Sequence, residues 1–147
     1  MDIFAVRTAL AAAARAATTP AGIAKLTATA YAPDAVTVPH FYVGDYTINY
    51  DRAMRRGLDE IEFACPVLVS RAYDQAAQRL LDRLLSGSGP GSLKTAIEVA
   101  RGLPGQAALD GAADDLHVMR TQGMRLYTVG STEYLGAELI IKVIGEG

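Results

Sequence analysis

From Glu60 to Ser70 the chain alternates. Ile61, Phe63, Cys65, Val67 and Val69 take one parity; Glu60, Glu62, Ala64, Pro66 and Ser70 take the other. A two-residue period puts the first set on one face of a strand and into a core. The period then changes: Tyr73, Ala77, Leu80, Leu81, Leu84 and Leu85 recur at helical spacing, with Asp74, Gln75, Gln78, Asp82 and Arg83 opposite them. A strand and the helix after it therefore share a core. The clearest strand is the last, where Leu135, Ala137, Leu139, Ile141 and Val143 alternate with residues that include Glu138 and Lys142.

The remaining elements follow from weaker signals. Asp2 is placed to cap a helix over residues 3–17, with Ile3, Val6, Leu10, Ala13 and Ala17 on one face and Thr18-Thr19-Pro20 as its stop. That face is mostly alanine and buries little area, so the helix is expected to lie close to a sheet or another subunit. The Thr-rich run Leu26–Tyr31 suits a short strand. Val36–Val43 and Tyr46–Tyr50 suit two strands, or one strand kinked at Gly44. Pro39 and Pro66 cannot donate to a ladder, which assigns each to an edge or a bulge and hints at pairing with another chain. Ser86–Gly91 is a turn, Ser92 caps a helix to Arg101 that Gly102 and Pro104 close, and residues 106–115 read as a small, acidic loop. Residues 116–128 and 133–144 form a hairpin about Val129-Gly130-Ser131-Thr132, where Gly-Ser suits a primed two-residue turn. Strands in runs predict the α+β class: an antiparallel or mixed sheet of about four to six strands, with an N-terminal helix and two central helices packed on it.

A length of 147 residues, half of them apolar, fits one domain over residues 1–147 with a sizeable core and no need of disulfides. A formal charge of −2 argues against a standing grip on nucleic acid, which needs Lys and Arg to neutralise several phosphates. The lone cysteine, Cys65, reads as a buried thiol. Met1–Ala17 is apolar but opens on Asp2 and carries Arg7 and Arg15, unlike a signal peptide, and no window reaches the roughly 18 uncharged apolar residues of a membrane span. The expectation is a soluble protein made in a cytosol, without a membrane partner.

Candidate chemistry is sparse. His40 and His117 lack metal-ligand spacing, the serines lack a nucleophile elbow, and Ser86–Gly91 lacks the lysine and preceding strand of a phosphate loop. Asp114-Asp115 reads as a solvated pair. No catalytic residue, cofactor or metal is expected. The charged loop Asp51–Asp59 stands out: from Asp51 to Glu62, three arginines meet four carboxylates and leave −1. Such a loop is a poor phosphate reader, and is either a solvated hairpin loop or a source of inter-subunit ion pairs.

The run YDRAMRRGLDEIEFACPVLVSRAYDQAAQRLLDRLLSGSGPGSLKTAIE and the ending LYTVGSTEYLGAELIIKVIGE resemble the tail terminator proteins of long-tailed, non-contractile phages of actinobacteria. The resemblance runs from about Tyr46 to Glu146; residues 1–45 fit it in order of elements. It implies a structural, non-enzymatic α+β subunit of the virion, assembled in the host cytoplasm. That subunit forms a ring, typically hexameric, on the last turn of the tail tube at the end nearest the head, stops tube polymerisation and meets the head–tail connector protein. DNA would pass through its lumen. By analogy, Arg52, Arg55, Arg56 and Asp59 of the charged loop, and Val129, Gly130, Ser131 and Thr132 of the hairpin tip, would touch neighbouring subunits or tube proteins. A head-completion protein of the same particle is the nearest alternative reading, and a small bacterial enzyme or ligand-binding domain the alternative from another class.

Overall fold

The computed structural model describes residues 1–50, 57–102 and 105–146. The chain is α+β: the described residues form three α-helices and a mixed six-stranded sheet. Helix α1, Ile3–Ala14, starts where the Asp2 carboxylate accepts from the N–H groups of Phe4 and Ala5. It ends three residues before the expected stop, because Arg15 closes its last turn and the chain leaves for β1, Thr27–Thr29. Strands β2, His40–Tyr42, and β3, Tyr46–Asn49, follow, then β4, Leu58–Ser70. Helix α2, Gln75–Leu85, is capped by Asp74, and α3, Leu93–Glu98, by Ser92, and α3 runs on into a 3-10 turn over Val99–Arg101. The long strands β5, Asp115–Val129, and β6, Thr132–Glu146, complete the sheet.

The strand order is β1-β2-β4-β6-β5, with β3 pairing β4 on the side that β2 also uses. Only β1 and β2 are parallel; the other pairs are antiparallel. Gly130-Ser131 joins β5 to β6, and Gly130, at φ 63°, takes the positive angle that a primed turn requires at its first central position. Ile61, Phe63, Cys65 and Val67 sit opposite Val143, Ile141, Leu139 and Ala137, so the alternating apolar sets of β4 and β6 share one face. The helices cover that face. Leu80, Leu81 and Leu84 of α2, Leu93 and Ile97 of α3, and Val6 and Leu10 of α1 all join one buried cluster with it. Burying each such side chain contributes about 1.5–3 kcal/mol. The alanine-lined α1 packs against β1, β2 and α3, where small side chains permit close approach.

Several boundaries differ from the sequence expectation. Tyr73 lies outside α2 and is exposed, because Asp74 has become the cap. Residues 36–39 are not a strand; β2 begins only at His40, after Pro39. Pro66 is not on an edge, since β4 has neighbours on both sides. Its missing donor costs little there. Ala64 donates to the Asp45 carbonyl, so two residues on the proline nitrogen faces the same side, opposite the gap between Phe41↔Val67 and Tyr46↔Phe63 where the β2–β4 ladder has ended and the β3–β4 ladder has not begun. Gly44 fills that corner: a Cβ on it would stand 2.5 Å from the Ala64 carbonyl oxygen. The small, acidic segment 106–115 contains a 3-10 turn, Leu109–Gly111, and buries Ala108, Leu109 and Ala113.

Candidate functional site

Of the residues singled out for partner contact, those that are described fall at opposite ends of the sheet. Arg52, Arg55 and Arg56 lie outside the described residues. Asp59 is not in a loop: it is a half-buried residue of β4, opposite Gly145 in the ladder. Val129 and Thr132 form the last pair of the β5–β6 ladder, with Gly130 and Ser131 exposed beyond them. The tip is close to the chain's own loop, for the Cβ position of Gly130 is 3.9 Å from the Asp34 carbonyl oxygen. Asp59 and the Ser70 end of β4, which meets β6 near the tip, are roughly 35 Å apart at about 3.3 Å per strand residue. Asp59 and the hairpin tip are therefore not on one surface.

The face of the sheet turned away from the helices carries three ion pairs between strands. Lys142 lies 3.3 Å from Glu60, Arg120 lies 3.4 Å from Glu62 and Arg125 lies 3.6 Å from Glu138, each pair joining neighbouring strands or crossing β6. At the end of this face the Arg101 guanidinium donates to both carboxylate oxygens of Asp115, at 2.8 and 3.2 Å. This bidentate bond holds the Asp115 carboxyl below the usual carboxylate range, while its side chain stays 46% exposed. Tyr127 donates to the Gly123 carbonyl at 2.6 Å and lies under the Arg125 guanidinium, 4.4 Å from its ring centroid. Burial, followed by the charge of Glu138, raises the pKa of both Tyr42 and Tyr127. These groups line a recess of about 470 Å3 with Tyr31 and Arg7.

Arg7 is the residue that sequence reading missed. It stands at i+4 from Ile3 and i−3 from Leu10, so the helical period already placed it on the buried face. Its guanidinium donates to the carbonyls of Val43 at 2.6 Å, Gly44 at 3.0 Å and Ala30 at 3.1 Å. The rings of Tyr31, Tyr46 and Phe63 surround it at 4.7, 5.4 and 5.8 Å. The planar fork fastens α1 to three separate carbonyls around the β2–β3 corner. Arg15 adds a bond from the same helix to the Ala28 carbonyl of β1.

His40 and Cys65 are interior groups. The two ring nitrogens of His40 meet the hydroxyls of Thr27 at 2.6 Å and Thr29 at 3.0 Å, which fasten β1 to β2, and burial lowers its pKa. Burial pushes the Cys65 thiol up to about 12. Among the described residues no three His, Cys, Asp or Glu side chains are grouped to hold a metal ion, and no helix is long and apolar enough to cross a membrane.

Apart from Ile23 and Tyr73, the exposed large apolar side chains lie toward the two ends of the strand order. Beyond β6, the sheet closes on β5, a fifteen-residue strand with no second ladder partner among the described residues. Met119, Met124 and Leu126 are exposed along it, and Val99 is exposed in the adjoining 3-10 turn. At the β1–β3 end, Phe4, Tyr31, Tyr46 and Tyr50 are exposed, with Phe4 stacked on Tyr31 at 6.4 Å. Comparison with protein-family models, curated proteins and solved structures finds no match to this chain.

Proposed function

We propose that this chain is a passive building block of a phage tail: a terminator subunit that closes into a ring, of six copies, on the head-proximal end of the tail tube. The ring stops tube polymerisation and offers its other surface to the head–tail connector protein, and DNA passes through its lumen without being read. The subunit assembles in the host cytoplasm, becomes part of the virion and carries out no catalysis. The resemblance between Tyr46 and Glu146 supplies the identity of the particle. The observation that carries the assembly reading is the set of exposed apolar side chains on β5, Met119, Met124 and Leu126, since an exposed apolar patch marks a surface that another chain covers.

The test is tube polymerisation. Tail tube protein assembling in the presence of this chain should give tubes capped at one end and limited in length, with ring density at that end by electron microscopy. Tubes of unchanged length with no added density would overturn the reading. Density at the portal side of the connector, away from the tube, would instead identify a head-completion protein.

A further inference from the structure

Resting on the ring reading, we infer that the β5 edge of one subunit docks on the Phe4–Tyr31–Tyr46 surface of a second copy of this chain. Three observations converge on that pairing. First, the exposed apolar side chains are sorted by chemistry: Met and Leu along β5, aromatic rings at the β1–β3 end. Thioether sulfur packs favourably against ring edges, and Met and aromatic residues are enriched in protein interfaces.

Second, the charges of the two segments are opposite. Strand β5 opens on Asp115, which is paired with Arg101, and then carries Arg120 and Arg125; between Tyr31 and Asn49 the chain carries Asp34 and Asp45 and no Lys or Arg, with Arg7 buried against the Tyr31 and Tyr46 rings. Arg120 and Arg125 reach Glu62 and Glu138 only at 3.4 and 3.6 Å with side chains 51% and 59% exposed, and Asp34 and Asp45 are exposed. Two β5 edges brought together would oppose arginine to arginine. Third, β5 is built to dock by side chains. Its ladder with β6 is interrupted between Val118 and Arg120 and again between Gln122 and Arg125, where Gly123 sits at φ 69°. Such bulges break the outer edge into short stretches and block continuous strand addition. A contact between two different patches of the same chain is heterologous, the class of interface from which rings are made.

Cross-linking between singly substituted chains tests this directly. Chains carrying Met124→Cys are mixed with mass-tagged chains carrying Phe4→Cys and treated with a short bis-maleimide; Cys65, fully buried, stays unreacted. The expected product joins one tagged and one untagged chain, and neither variant alone cross-links to itself. Met124→Cys chains linking to each other would show a two-fold β5 contact and overturn the inference. An assembled ring without the 4–124 link would overturn the inference while leaving the ring reading standing; a monomer without the link overturns both. As a second measurement, Met124→Glu with Leu126→Glu should raise the concentration at half-assembly at least about tenfold with unchanged secondary structure. Tyr73→Glu, 53% exposed and away from both edges, should leave it unchanged; equal effects of the two would count against the assignment.

Discussion

Arg7 shows what one side chain does here. Its charge is buried without a carboxylate among its hydrogen-bond partners, held by three carbonyls and three rings. Replacing it by Met leaves those acceptors facing an apolar group, so Arg7→Met should lower stability by about 2–4 kcal/mol in urea unfolding. Arg7→Lys should recover only part of this, because an ammonium does not span the fork; full recovery would show that charge alone matters. His40 makes a pH-dependent contribution. Burial sets its folded pKa below the unfolded value of about 6.5, so the unfolded chain takes the proton first. Its stabilising share is therefore complete above about pH 6.5 and lost as the pH falls below it. The thermal midpoint should fall between pH 7 and pH 5, and less steeply in His40→Gln; identical slopes would contradict this. The helical period put Arg7 on the inner face, but its acceptors are 23 to 37 residues away, which no local pattern encodes. His40 was placed in a strand correctly, yet its threonine partners depend on the β1–β2 register.

At the level of elements, local chemistry did most of the work. Asp2, Asp74 and Ser92 each accept from a backbone N–H at the start of a helix, and the alternation in β4 and β6 sets the buried face. These signals lie within a few residues of the structures they specify, which is why they were legible. Pro66 was misplaced on an edge because its tolerance comes from the break between two neighbouring strands, a property of the sheet. The ion pair of Asp115 was not legible for a similar reason: its partner Arg101 is fourteen residues away. Helix α2 is held by its buried face, Ala77, Leu80, Leu81 and Leu84, of which Leu81 and Leu84 are fully buried. Leu84→Ala should cost about 2–5 kcal/mol, read as a shift of the urea midpoint with the slope unchanged. A smaller loss would mean that the α2 layer relaxes into the space.

For the molecule as a whole, the sheet leaves two unlike edges. The sequence pointed to the hairpin tip and the charged loop as contact regions, and the described parts of these lie at opposite ends of β4. Exposed methionines in β5 were not legible as a patch, because two ladder interruptions move Met119 and Met124 out of simple alternation. Two unlike edges on one subunit suit a closed ring, in which every copy uses both. The most direct test is the mass of the full-length protein in native mass spectrometry across a concentration series. A closed ring predicts one dominant species that does not grow further with concentration, at about 93 kDa for six copies of the 15.5 kDa chain. A species that stays at 15.5 kDa throughout, or a ladder that lengthens without limit, would contradict it.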